Sequence, residues 1–206
     1  MLPDYEELRA LSAVPRLHPN GFIQLDLTAD WSKRLHVWPD EELRAQKTRH
    51  PIHDHSFDME SEILTGCLTN LVYEFQASEY NKQTMLYRAK RLPDTQETIL
   101  VPATMKQNTG YLRLLRADIY RPSSRYTLHK FVLHDSIPHG LTATIMTKSR
   151  MSDYSPLIAI PKGIEPDNDY RRDRVDTEIL WSFIQRGLEK AAHEKDEVHV
   201  DYSTHD

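Results

Sequence analysis

Residues 50 to 70 read HPIHDHSFDMESEILTGCLTN. The first thirteen positions hold His50, His53 and His55 with the acids Asp54, Asp58, Glu60 and Glu62, and the rest is an apolar, strand-like run broken by a glycine. Titratable side chains crowded immediately ahead of a strand are the pattern of a metal site. In an extended chain, residues two apart share a face, so His53 and His55 aim both imidazoles at one point while Asp54 faces away. Two converging imidazoles suit a borderline divalent ion such as iron, zinc, nickel or manganese. A lone His-x-His pair is more often a solvated surface feature, so a metal site needs a further donor from elsewhere in the chain.

Such a donor stands about eighty positions downstream. In RYTLHKFVLHDS, residues 125 to 136, alternation puts Tyr126, Leu128, Lys130, Val132 and His134 on one face and His129 on the other. His134 on a neighbouring strand completes the set. His139, in the turn-like IPHG at 137 to 140, is expected to be exposed and is the fallback ligand. Three imidazoles with open coordination positions point to chemistry rather than to a structural ion.

The same period of two runs through most of the chain. GFIQLDLT, KRLHVW, SEILTGCLTNLVYEFQ, TMLYRA, TILVPA, GYLRLLRADIY, RYTLHKFVLH, LTATIMTKS and PLIAIPK all read as strands. NTG at 108 to 110, RPSS at 121 to 124 and IPHG supply turn formers between them, which predicts meander-like connectivity. Nine strands with short polar breaks predict an all-β sandwich or barrel. PDYEELRALSA at 3 to 13 predicts a short peripheral helix. TEILWSFIQRGLEKAAHEK at 177 to 195 predicts a closing helix behind an Asp176 or Thr177 cap, with Ile179, Phe183, Ile184 and Leu188 at helical spacing. The predicted organisation is an N-terminal helical extension over 1–19, a β-barrel over 20–163, and a charged linker, helix and mobile tail over 164–206.

Composition removes several classes. A chain of 206 residues favours one core. Net charge is −5 with Lys and Arg scattered, so no basic stripe is offered to nucleic acid. Cys67 is the single cysteine, excluding an internal disulfide, and reads as a buried, inert thiol. Met1 is followed by the acidic LPDYEE, and no apolar stretch reaches the roughly 18 to 20 residues that span a bilayer, so a soluble, cytoplasmic protein without membrane contact is expected. The partner expected is a small-molecule substrate, and exposed β edges invite a homodimer.

HDHSFDMESEILTGCLTN resembles the first signature of the cupin superfamily, in which His-x-His, a short spacer, often a Glu, and then an apolar strand and a Gly lie on consecutive strands of a small barrel. YTLHKFVLH resembles the second signature, without its usual Pro-x-Gly. The resemblance covers roughly residues 20 to 160. It implies a cupin-type antiparallel jelly roll, with His53, His55 and His134 as metal ligands and Glu60 at the position of the carboxylate. FDMESEIL is similar to members that lack that carboxylate ligand, closest to the three-histidine, cysteine dioxygenase-like branch. The implied cofactor is Fe(II), with Zn, Mn or Ni as alternatives, and the implied function is a ferrous-iron oxygenase acting on a small polar metabolite. Redox-inert isomerases, epimerases and lyases belong to the same superfamily, as do non-catalytic ligand-binding barrels.

Around the metal, Arg34, His36 and Trp38 share one face of KRLHVW, and Leu35 and Val37 the other. An inward Arg34 makes a carboxylate or phosphate clamp; if Leu35 and Val37 take the core instead, that face lies in solvent. Tyr126 offers a phenol to substrate or bound oxygen, or packs in the barrel. Arg113 and Arg116 fall on opposite faces of their strand, so at most one lines a pocket. His193, His199 and His205 need no function.

Overall fold

The computed structural model describes residues 2–11, 13–39, 50–92, 98–166 and 175–200. Its strands make one curled antiparallel sheet of ten. The order is β1 (Arg16–Leu17), β2 (Ile23–Asp26), β3 (Lys33–Trp38), β9 (Leu133–Ser149), β4 (Asp58–Ala77), β7 (Thr109–Tyr120), β5 (Thr84–Arg91) and β10 (Leu157–Pro161). β6 (Thr98–Pro102) adds to β5, and β8 (Arg125–Leu128) adds to β4. The all-β, jelly-roll-like architecture is as expected, with helix α1 (Tyr5–Ala10) and helix α2 (Thr177–Val200) at the two ends. Connectivity is not that of a meander. Most neighbours in the sheet are distant in sequence, as β3 with β9 and β4 with β7, because the long β4 serves three partners, β7, β8 and β9, and the long β9 serves two, β3 and β4.

The sheet curls back on itself at one point. His53 bridges His134 of β9 on one side and Ile158 of β10 on the other. Backbone hydrogen bonds from Asp54 to Leu157 (3.0 Å) and from Ala159 to Ile52 (2.9 Å) extend this link. The sheet's last strand is thereby tied to one near its middle.

β4 bends in the course of its 20 residues. Its pairing with β9 shifts register between Ile63 and Thr65 and again between Thr65 and Cys67, around Gly66 at φ 77°. A Cβ on Gly66 would stand 2.5 Å from the Leu141 carbonyl oxygen and from Thr142 Oγ1, so only glycine fits. Glu194 of α2 accepts hydrogen bonds from Thr65 Oγ1 (2.7 Å) and the Gly66 N–H (3.4 Å), which ties the bend to the helix.

Both faces of β2 and β3 are covered. Ile23, Leu25, Leu35 and Val37 point outward into a cluster with Leu180, Trp181, Ile184, Leu188 and Ala191 of α2 and Leu8 of α1. Each such side chain contributes about 1.5–3 kcal/mol by leaving water. α1, capped by Asp4 accepting from the Glu7 N–H (3.0 Å), therefore belongs to the main core rather than to its periphery. Strand β1 also lies inside the segment expected as a helical extension, paired with β2. The cap of α2 is Asp176, whose Oδ1 accepts from the Glu178 N–H at 2.8 Å. Ile184 and Leu188 are buried and Phe183 packs against the same cluster, as expected, but Ile179 is exposed, and Leu180 and Trp181 are covered instead. The helix continues through Val200 into the segment expected as a mobile tail; most of the charged linker and residues 201–206 lie outside the described residues.

Two local expectations are corrected. RYTLHKFVLH is two strands, not one, with a turn at Lys130 and Phe131. Phe131 has φ 69°, and the Lys130 N–H is taken by Asp58 Oδ1 at 2.8 Å. IPHG, expected as a turn, lies inside β9. The His134 N–H points away from β4 to His53, and by alternation the missing N–H of Pro138 points the same way, so the β4 ladder loses nothing. β7 beyond Gly110 pairs with β4 on one side and with no described strand on the other, and Leu114, Leu115 and Ile119 along it are exposed. No described helix is long and apolar enough to cross a membrane.

Candidate metal centre

The point where the sheet closes is also where the histidines meet. Backbone bonds join His53 and His134 in both directions, at 3.1 and 2.9 Å, and the His55 carbonyl accepts from the Phe131 N–H at 3.0 Å. The turn that interrupts the expected strand is thus what fixes His55. Asp54, between the two histidines, is buried, and its carboxylate accepts from the Leu157 N–H (2.6 Å) and the Tyr154 hydroxyl (3.1 Å). Burial pushes its pKa up to about 6. Facing away from the imidazoles, Asp54 anchors their segment to β10.

The three rings converge. Ring centroids lie 4.8 Å apart for His53 and His55, 4.8 Å for His53 and His134, and 5.0 Å for His55 and His134. One nitrogen of each falls within 4.8 Å of the others. Nδ1 of His53 donates to the Pro51 carbonyl at 2.7 Å, and Nδ1 of His134 donates to Asn70 Oδ1 at 3.1 Å. With the proton held on Nδ1, Nε2 of each ring carries the lone pair. Nε2 of His134 meets Nε2 of His55 at 3.0 Å, a spacing that requires a proton or a cation between two facing nitrogens. Burial, and then the charge of the neighbouring histidines, holds the pKa of His55 and of His134 well below the ordinary imidazole value. A divalent ion binds imidazoles that present a lone pair, as His53 and His134 do with their protons held on Nδ1, and the three residues fit one.

Asn70 escapes the sequence reading. Its signal is a polar residue on the inward face of an apolar strand, between Leu68 and Val72, and it is fully buried. Replacing Asn70 with Leu is expected to free the His134 ring and lower metal affinity by about 10- to 100-fold, as measured by competition with a chromogenic chelator.

Glu60 does not join the cluster. Its side chain is exposed on the outer face of β4, with its carboxylate 4.0 Å from Arg125. Inward positions along this stretch are Phe57, Met59 and Ser61, so alternation sends residue 60 outward. The fallback ligand His139 is exposed and bonds Thr69 Oγ1 at 2.7 Å. His129 sits in the turn, 3.7 Å from Asp58. Cys67 is half-buried rather than enclosed.

A cavity of about 270 Å³ opens directly from the histidines. KRLHVW has no solvent face: Arg34, His36 and Trp38 line this cavity, while Leu35 and Val37 pack under α2. Arg34 is not a free clamp, since its Nε donates to Asp26 Oδ1 at 2.7 Å and Asp26 also pairs with Arg16. Tyr126 lines the cavity, stacked on Tyr120 at 4.5 Å and bonded to Ser61 and Ser136; burial pushes its pKa up to about 12, so it stays a neutral phenol. Phe22, stacked on His18 and tilted against His36 and Trp38, forms an aromatic wall that the strand pattern does not reveal. Arg116 and Arg113 are exposed and take no part: Arg116 pairs with Asp118, Arg113 with Glu74.

No family model matches the chain, and no curated protein matches it. Among solved structures, a hydroquinone 1,2-dioxygenase from Sphingomonas sp. TTNP3 with 4-hydroxybenzoate bound superposes at TM-score 0.31 and 4% identity, over 59% of this chain and 61% of that one. Hydroquinone 1,2-dioxygenase PnpCD, in complex with Cd2+ and 4-hydroxybenzonitrile, superposes at TM-score 0.36 and 7% identity, over 73% of this chain and 72% of that one. Superpositions this loose assign no activity.

Proposed function

We propose that the protein is a cupin-type, metal-dependent enzyme whose ion is held by His53, His55 and His134, and that it is a ferrous-iron oxygenase acting on a small molecule. One observation carries this: three imidazoles, two with their protons pinned on Nδ1, converge at the inner end of a cavity. A structural ion would be closed off by a fourth protein ligand, whereas this cluster has three among the described residues and faces open space. A ferrous ion held there would supply open coordination positions and redox chemistry toward dioxygen. The chain's own part is to position and to shield. Asn70 and the Pro51 carbonyl orient the ligands, Asp54 fixes their segment, and Phe57, Met59 and Met146 keep the surroundings apolar. Tyr126 contributes to the wall a neutral phenol held by Ser61 and Ser136.

The test is oxygen uptake by protein reconstituted anaerobically with ferrous iron, across a panel of single-ring phenols, thiols and hydroxy acids. Uptake is expected with iron and none with zinc. Turnover supported by zinc or manganese without oxygen would replace this reading with an isomerase, epimerase or lyase that uses the ion as a Lewis acid. A homodimer, if formed, would have available the edge of β7 that no described strand covers.

A further inference from the structure

β7 is the strand that the fold leaves without cover. Beyond Gly110 it pairs with β4 on one side and with no described strand on the other, so the backbone N–H and C=O groups of that side have no ladder to enter. Its side chains are bare as well. Arg113 to Ala117 form an unbroken exposed row, on both faces of the strand, and Leu114, Leu115 and Ile119 are each more than half exposed. Beside them an apolar cleft of about 560 Å³, lined in part by Tyr73, Phe75, Leu86, Leu115, Phe131 and Leu133, continues the same surface. A long edge with exposed aliphatic side chains is a template for another strand, and proteins that keep such an edge single place lysine or proline on it. TGYLRLLRADIY, residues 109 to 120, has neither.

The ladder with β4 tells which side chains share a face. Tyr120, Asp118 and Arg116 stand opposite Leu68, Asn70 and Val72 on the inner face, and Ile119 and Ala117 stand opposite Thr69 and Leu71 on the outer one. Register then shifts between Val72 and Tyr73, with Leu115 as the extra residue, and the alternation changes phase. Leu114 and Leu112 stand opposite Tyr73 and Phe75 on the outer face, Arg113 and Tyr111 opposite Glu74 and Gln76 on the inner one. A regular strand that pairs antiparallel with its own copy across a two-fold axis must set one residue opposite its own counterpart, because only residues an even number of positions apart share a face. The phase change at Leu115 lifts that restriction. One register then sets Arg113 opposite the second copy's Asp118, Leu112 opposite Ile119, Leu114 opposite Ala117 and Tyr111 opposite Tyr120, each pair on a common face. Charge agrees with it. Arg113 is already paired with Glu74, and Asp118 with Arg116, so the four line up across the axis with alternating sign. Sliding by two residues one way brings Arg113 opposite Arg116, a repulsive pair, and the other way leaves it opposite Tyr120.

We infer that β7 pairs antiparallel with β7 of a second copy of this chain, in the register that opposes Arg113 and Asp118, and so joins two sheets into one. A single strand pair with its flanking side chains is a modest interface, so the dimer dissociates on dilution.

The experiment is sedimentation velocity on the purified, full-length chain from micromolar to several hundred micromolar, with circular dichroism and a thermal midpoint for every variant as the check on folding. The wild type is expected to be a reversible dimer. Leu114→Lys and Ile119→Lys, each at an exposed position, are expected to raise the dissociation constant at least tenfold, and either one suffices should the other fail to fold. Arg113→Asp, which sets like charges across the axis, is expected to do the same. Adding Asp118→Arg to it is expected to bring the constant back to within about threefold of the wild type. Inside one chain the double exchange leaves Glu74 and Arg116 each beside a like charge, so recovery comes only from contact between copies. A wild type that stays monomeric overturns the inference and leaves the edge to a strand of some other protein. A dimer untouched by the lysine variants lies on another face; one untouched by Arg113→Asp, or not recovered in the double variant, lies in another register, and each of these results overturns it too. The readout is oligomeric state, so it stands apart from the metal assay.

Discussion

Replacing His53 and His55 together by alanine is expected to take the metal content from near one ion per chain to background, as measured by elemental analysis of the purified protein. Two of the three donors disappear, and His134 alone, hydrogen-bonded to Asn70, offers one nitrogen. The fold should survive. The link that closes the sheet at residue 53 is made by backbone N–H and C=O groups, which alanine keeps, and the Asp54 carboxylate still anchors the segment to Leu157. Unchanged far-ultraviolet circular dichroism beside the lost metal separates a missing ligand from a missing fold. Metal retained by the double variant would place the ion elsewhere, and a wild type that stays metal-free after reconstitution would leave a ligand-binding barrel.

Gly66→Ala is expected to destabilise the protein by about 3 kcal/mol or more, read from urea unfolding. A left-handed backbone costs an L-residue about 1–2 kcal/mol by itself. Collision with the Leu141 carbonyl and the Thr142 hydroxyl adds to that, and neither is the far end of a flexible side chain. Gly140, at φ 73°, is the internal control, since a methyl added there would meet nothing within 4 Å. Gly140→Ala should cost only the backbone part, about 1–2 kcal/mol. Equal losses at the two positions would show that the bend at Gly66 relaxes and that the close approach of β4 to β9 is not what makes glycine necessary.

The strands and the histidines are legible for one reason: both obey a period of two. His53, His55 and His134 stand out because imidazoles repeat at that spacing and because so few other residue types hold a metal. What the sequence does not reveal depends on contacts between distant positions. Asn70 acts on His134 from 64 positions away, and nothing in LTNLVYEF says which partner it meets. The turn at Lys130 and Phe131 contains neither glycine nor proline; it forms because Asp58, on another strand, takes its amide. IPHG carries turn residues yet stays extended, since Pro138 points its missing donor away from β4. The spacing of a resembling motif puts Glu60 among the ligands, although alternation from His55 through Phe57, Met59 and Ser61 already turns it outward. In the C-terminal helix, Ile184 and Leu188 enter the core as the apolar period predicts, whereas Ile179, in the first turn, is exposed and Leu180 and Trp181 pack there instead.

The closure at residues 52 to 55 has a kinetic consequence. His134 rides on β9, within the long ladder that β9 shares with β4, whereas His53 and His55 are held by a handful of backbone bonds and one carboxylate. Segments secured so briefly open far more often than the molecule unfolds. An ion held there as proposed would exchange with its surroundings through a short excursion of one loop, with one imidazole staying behind as a tether, and its half-life would follow the frequency of that opening rather than the stability of the barrel.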